Sequence, residues 1–207
     1  MIQLQQLNRV FRTAELETTA LNQIDLQIEQ GDFVAVMGPS GCGKSTLLRI
    51  ASNLETETEG KCEVDRNSIG YVFQDATLLP WRNVRKNIEI IAELHGIEKT
   101  QRAKLAQDAI DLVGLTGFED KYPRQLSGGM RMRASLARSL VMKPRVFLFD
   151  EPFGALDEIT RERLNDELLR LFQLEGFAGL FITHSIAEAV YMSTKVLVMS
   201  ARPGQIV

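Results

Sequence analysis

Cysteine, histidine and tryptophan are scarce in this chain, and no long apolar run is present. Its two cysteines, Cys42 and Cys62, cannot build a disulfide framework, which agrees with a reducing compartment. No stretch approaches the ~20 apolar residues needed to span a bilayer, so any membrane role is peripheral and runs through another protein. The N-terminus lacks a basic segment followed by an apolar run; no secretory signal is visible, and the chain reads as cytoplasmic. A net charge of −3 gives no general attraction to DNA, RNA or anionic lipid, so nucleic acid is not an expected partner. Arg131, Arg133 and Arg138 fall in one segment and read as a solvated helix face rather than a basic patch. Internal repeats and low-complexity segments are missing too. What remains is 207 residues, 44% hydrophobic and 25% charged. That suits one domain with a large core, or a core carrying a smaller lobe.

Two phosphate-binding sequences stand out in fixed order. Gly38-Pro39-Ser40-Gly41-Cys42-Gly43-Lys44-Ser45 fits the G-x-x-x-x-G-K-[ST] phosphate loop. Leu126-Ser127-Gly128-Gly129-Met130 follows later in the chain. The first sits in the context such a loop requires. Residues 33–37 form a continuous apolar run, as in a strand buried on both faces, and residues 44–50 begin a helix. Before them, Ile24, Leu26 and Ile28 alternate with polar residues like a half-buried strand. Further buried strands are expected at 146–149, 180–183 and 196–199, with helical periodicity at about 84–95, 100–114, 128–142 and 158–174. Ser185-Ile186-Ala187-Glu188 has the capping-box pattern and should start another helix. Strands alternating with helices predict a largely parallel sheet covered on both faces. The stretch from about 80 to 143 has helical segments and no strong strand, which suggests a helical lobe inserted in an α/β core.

The chemistry follows from residue type and place. Glycines let backbone N–H groups close on phosphate oxygens, and the following helix turns its positive end to the same anion. Lys44 places an ammonium on the β/γ-phosphates, and Ser45 offers a hydroxyl to Mg²⁺. Asp150 stands where an apolar strand ends and suits a Mg²⁺ carboxylate; Glu151 beside it can act as a general base on water. His184 and Gln74 occupy comparable strand ends. Ser127 is a good N-cap, and Gly128 and Gly129 expose N–H groups, so this is a second anion-binding helix start. One nucleotide rarely needs two such cradles within one chain. The second is therefore assigned to the nucleotide of another subunit.

These motifs resemble the ATP-binding subunits of ABC transporters, over nearly the whole length. The resemblance implies an α/β P-loop NTPase of the ABC ATPase type: a mostly parallel core at about 1–79 and 144–207, an antiparallel β subdomain, and a helical subdomain at about 80–143. It implies ATP and Mg²⁺ as cofactors. ATP would be held by Gly38, Pro39, Ser40, Gly41, Cys42, Gly43, Lys44, Ser45 and Thr46, with Ser127, Gly128 and Gly129 acting in trans. Ser45, Gln74 and Asp150 would hold Mg²⁺. Glu151 matches the catalytic glutamate, His184 the switch histidine, and Gln74 the Q-loop. Ala155-Leu156-Asp157 is similar to the D-loop between the two sites, and Phe11 to the aromatic that stacks on adenine. The implied partners are a second ATPase subunit packed head to tail, a transmembrane permease, and indirectly a periplasmic or extracellular solute-binding protein. The implied location is peripheral, on the cytoplasmic side of the inner membrane.

The segments around Phe73 to Arg82 and Asp150 to Asp157 look like the importer branch for nitrate, taurine and aliphatic sulfonates, with Trp81 toward the permease. Some positions depart from the family pattern. Met132 replaces a usual glutamine. The stretch before Gln74 is short, which predicts a reduced peripheral β-lobe. The sequence stops at Val207, where relatives often continue, so a C-terminal regulatory element is absent or lies outside this sequence. Non-transport ABC ATPases generally carry coiled-coil insertions, zinc cysteines or tandem domains, none of which is seen. A pseudo-enzyme is disfavoured because Lys44, Ser45, Asp150, Glu151 and His184 are all present.

Overall fold

The computed structural model describes residues 1–13, 16–154 and 156–207. Within them the chain divides into two compact units: Met1–Tyr71, Arg145–Glu151 and Leu171–Val207, and then Val72–Pro144 and Pro152–Arg170.

The first unit is built on two sheets. β1 (Ile2–Arg12) pairs antiparallel with β2 (Glu17–Ile28). Leu4 faces Leu26 and Leu7 faces Ile24 in that register, so alternation buries one face. β3 (Phe33–Met37) opens the second sheet, α1 (Lys44–Ala51) follows it, and β4 (Glu59–Val64) returns to pair with β1. The antiparallel order is β2-β1-β4. β1 and β4 carry no run that marked them in the sequence; Ile2, Leu4 and Leu7 are buried, yet they are spaced by polar residues.

The second sheet adds β5 (Ile69–Val72), β6 (Val146–Asp150), β7 (Ala178–Ile182) and β8 (Lys195–Val198), in the order β5-β6-β7-β3-β8. Strand β3 pairs parallel with both β7 and β8, and β6 with β7. Central β3, β6 and β7 are buried along their length, as their apolar runs predicted. Strand β8 differs from expectation. It lies at the sheet edge, and Val196 and Val198 are exposed at 42% and 46%. An apolar run of four has no means of knowing that it will have one neighbour instead of two.

An aliphatic core from Ile2 to Met199 fills the space among the two sheets and α1. A separate aromatic cluster joins Phe33, Phe147, Phe149, Phe172, Phe177 and Phe181, with the rings of Phe147 and Phe177 4.4 Å apart. Gly179 makes room for it: a Cβ there would stand 2.7 Å from the Phe33 ring. Each buried phenylalanine contributes roughly 1.5–3 kcal/mol of burial, so this cluster firmly fixes the strands that carry the site.

The second unit holds α2 (Val84–Leu94), α3 (Lys99–Leu112) and α4 (Gly128–Leu140), capped by Asn83, Glu98 and Ser127. The expected solvated arginine face is not what forms on α4. Arg131 donates to Leu126 O, Arg133 to Val113 O and Gly114 O, and Arg138 to Ala76 O and Thr77 O. Loops without secondary structure leave carbonyls that need donors, and these guanidiniums supply them. Helix α5 (Glu158–Glu175) continues into the first unit, and α6 (Ile186–Met192) is capped by Ser185, which accepts the Glu188 N–H. No helix among the described residues is long and apolar enough to cross a membrane.

Candidate active site

The loop from Gly38 to Gly43 leaves β3 and turns into α1 through Gly43, whose φ of +108° only glycine adopts readily. A Cβ at Gly43 would also stand 2.8 Å from Ala20 O, so the loop can rest on β2 only without one. Lys44 is buried; its ammonium donates to Gly38 O at 2.8 Å and Pro39 O at 3.0 Å. These donors turn inward, toward the space the loop encloses. Pro39 and Ser40 are exposed at the loop's outer edge, and Thr46 is half-buried on α1.

Ser45 Oγ donates to Asp150 Oδ1 at 3.0 Å, so the helix start meets the end of β6. A hydroxyl and a carboxylate are hard oxygen donors of the kind Mg²⁺ takes, with phosphate and water oxygens completing its shell. Among the described residues no cluster of three or more His, Cys, Asp or Glu forms a metal cage. The donor set thus fits a cation that arrives with a phosphate ligand. Tyr71, which the sequence did not single out, hydrogen-bonds the Asp150 carboxylate. Burial first, and the neighbouring negative charge second, push its phenol pKa up, so it stays a proton donor.

Glu151 follows directly, half-buried, with a φ of +47°. A non-glycine residue in that region is strained by about 1–3 kcal/mol and persists only where its surroundings over-determine it. Here the Glu151 N–H donates to Ile182 O at 3.2 Å, and His184 Nε2 meets Glu151 Oε1 at 2.6 Å. His184 is itself fixed from both sides. Thr183 donates to the buried Glu188 carboxylate, and the Ser185 N–H donates to Thr183 Oγ1 at 3.0 Å. Lys44, Ser45, Asp150, Glu151 and His184 therefore gather in one unit: ammonium, hydroxyl, two carboxylates and an imidazole, suited to hold a polyphosphate and to accept a proton from water.

Phe11 belongs to the same unit. It pairs with Thr18 on β2, two positions from the Ala20 that backs Gly43, and is 36% exposed. The Arg9 guanidinium lies 4.4 Å from its ring centroid and is held by Glu55 at 2.7 Å.

Gln74, Ser127, Gly128, Gly129 and Asp157 belong to the other unit. Gln74 is exposed just beyond β5. Ser127 Oγ accepts the Met130 N–H at 3.2 Å and caps α4, with Ser127 and Gly128 exposed. Gly129 is buried, and a Cβ there would meet Thr160 Cγ2 at 2.7 Å, so this glycine also has a packing reason. Asp157 Oδ1 accepts the Thr160 N–H at 3.0 Å at the start of α5, which lowers its pKa. Ala155 of the D-loop-like segment lies outside the described residues.

Comparison with known proteins agrees with this arrangement. The ABC transporter family model matches residues 21–154. An uncharacterized ABC transporter ATP-binding protein of Methanocaldococcus jannaschii is 47% identical, over 99% of this chain and 79% of its own. A nitrate import ATP-binding protein of Synechocystis is 43% identical, over 99% of this chain and 80% of its own. An aliphatic sulfonates import ATP-binding protein of Bacillus thuringiensis is 40% identical, over 99% and 83%. Among solved structures, a dimeric post-hydrolysis ATP-binding cassette bound to ADP and Pi aligns with a TM-score of 0.87 at 30% identity, over 100% of this chain and 96% of the other. Family match, fold and a loop–carboxylate–histidine cluster converge: the chain belongs to the ABC transporter family, as an ATP-binding subunit with ATPase activity.

Proposed function

We propose that the chain drives import of a small solute of the nitrate, sulfonate or taurine class through a separate membrane permease. The observation that carries the catalytic half is the 2.6 Å contact between Glu151 and His184, beside the Ser45–Asp150 pair. The import half rests on relatives named for nitrate and aliphatic sulfonate import.

In this reading ATP lies against Gly38 to Thr46, with its adenine on Phe11. Lys44 shifts its donors from loop carbonyls to phosphate oxygens. Ser45, Asp150 and Gln74 hold Mg²⁺, which when bound offsets the triphosphate's charge. Glu151 accepts the proton of the attacking water, and His184 stands on the γ-phosphate side. Ser127, Gly128 and Gly129 of a second subunit, packed head to tail, close the other side of the nucleotide, and Asp157 communicates between the two sites. The chain is read as one ABC ATPase domain, with its core at about 1–79 and 144–207 and a helical subdomain at about 80–143. That subdomain and the segment around Trp81, which is 71% exposed, face the permease at the cytoplasmic side of the membrane. A solute-binding protein acts on the far side of the permease.

Glu151→Gln tests the catalytic assignment. It should bind ATP, hydrolyse it roughly 10²–10⁴-fold more slowly, and linger as a closed dimer. Unchanged turnover removes the base assignment. Purification from native membranes with the permease attached, followed by ATPase assays with nitrate, taurine or an alkanesulfonate and the binding protein, tests the solute class. Stimulation by none of the three rejects it.

A further inference from the structure

The segment after β8 forms an outer wall for the phosphate loop. Met199 N donates to Met37 O at 2.7 Å, Gly204 N to Ala20 O at 3.0 Å, and Val207 N to Val198 O at 3.0 Å. Between these anchors a tight turn is tied by Ser200 N to Gln205 O at 2.9 Å and Gln205 N to Ser200 Oγ at 3.1 Å. Fit against the loop is close. A Cβ on Gly38 would stand 2.8 Å from Met199 O, and one on Gly204 would stand 2.1 Å from Cys42 O.

This turn presents Arg202. Its Nη2 and Nε donate to Gly41 O at 3.1 and 3.3 Å, and among the described residues this carbonyl is the acceptor it meets. Gly41 has a φ of +74° and no Cβ, so no side chain of its own fixes the ψ that orients its following peptide. The peptide unit is planar and trans, so the Gly41 carbonyl and the Cys42 N–H point to opposite sides. With the carbonyl held on the Arg202 side, the Cys42 N–H lies on the inner side, donating to Pro39 O at 3.3 Å. Pro39 O is also an acceptor for the Lys44 ammonium. If that peptide turned over, a carbonyl oxygen would face the triphosphate in place of a donor.

We propose that Arg202 is a positioning residue for the triphosphate: it holds the Gly41 carbonyl outward so that the loop offers donors alone to the anion. The proposal rests on the ATP-binding reading of the loop.

Arg202→Gln and Arg202→Lys test it, with calorimetric titration of ATP, tripolyphosphate and adenosine, and steady-state ATPase kinetics. Arg202→Gln should bind ATP and tripolyphosphate about tenfold more weakly, the order expected for losing a hydrogen bond from a charged donor. Adenosine affinity should stay at the wild-type value, and the loss should fall on KM rather than kcat. Arg202→Lys keeps the charge with a single donating group and should land between the two. It decides the matter if Arg202→Gln does not fold. Triphosphate affinities within twofold of wild type, or an equal loss for adenosine, overturn the proposal. Wild-type protein that hydrolyses no ATP would instead sink the functional reading, and this inference with it.

Discussion

Lys44 is buried at 5% exposure with its ammonium on two carbonyls of its own loop, a donor preorganised before any phosphate arrives. Lys44→Ala should lower ATPase activity roughly 10²–10³-fold, as removal of a preorganised charge-stabilising donor typically does. A phosphate-release assay reads it, and near-normal turnover would remove Lys44 from the chemistry. Cys62 behaves in the opposite sense. Burial first, and the negative charge of Glu57 second, push its thiol from an ordinary value of 9.0 to about 11. A raised folded value means the contribution to stability is complete below pH 9.0 and disappears as pH climbs through about 11. At pH 8 the thiolate is scarcer than in the unfolded chain, so iodoacetamide should label native Cys62 roughly a hundredfold more slowly. Mass-spectrometric labelling against pH checks this; native and urea-unfolded rates that coincide would contradict the burial effect. At this scale the sequence disclosed the candidate site groups that the structure gathers in one unit, because loop glycines, Lys44 and strand-end carboxylates have a fixed local order. It was silent on Tyr71 and Arg202. Their places follow from strand neighbours and a turn far along the chain, which no local spacing encodes.

Elements were legible where burial is complete on both faces. The runs at β3 and β6 have one physical outcome, a central strand, and the helices at α2, α3, α4 and α5 followed from 3.6-residue periodicity. β1 and β4 escaped notice because their pairing partner, not their composition, makes them strands. β8 was read as buried although it forms an edge. The caps at Ser127 and Ser185 were legible; side chains that satisfy loop backbone groups were the other blind spot, and Asn87 is the clearest instance. Fully buried on α2, it accepts the Leu79 N–H at 2.7 Å and donates to Leu79 O at 3.1 Å, Arg82 O at 2.8 Å and Asn83 O at 3.0 Å. One amide thereby fixes the turn that carries Trp81. Asn87→Leu keeps the volume but takes this amide from the Leu79 N–H and Arg82 O, while Leu79 O and Asn83 O keep the Arg82 and Asn87 N–H groups; the loss should cost about 3 kcal/mol. Urea unfolding monitored by circular dichroism measures it; a loss under ~1 kcal/mol would show that water replaces the amide.

At the scale of the whole molecule, the second cradle is proposed to work on the nucleotide of a partner subunit. Ser127 and Gly128 are exposed at the start of α4, and an ATP-binding cassette of closely similar fold has been solved as a dimer. If each nucleotide is shared head to tail, two differently damaged chains must repair one another. Lys44→Ala removes the phosphate-loop cation and leaves the α4 start intact. Gly128→Asp does the reverse, placing a carboxylate against the anion; the fold has room for it, since a Cβ at Gly128 meets Leu156 at an ordinary 3.6 Å. A mixed dimer then contains one site with both damaged halves and one with neither. Equal mixing makes about half the dimers mixed, each with one sound site of two, so ATPase activity should recover to about a quarter of wild type in a two-fold symmetric assembly. Each variant alone should stay inactive at the same total concentration. Were loop and cradle to serve the same nucleotide within one chain, every site in the mixture would carry one lesion. Activity would then remain at the level of the separate variants, which is the result that rejects the shared site.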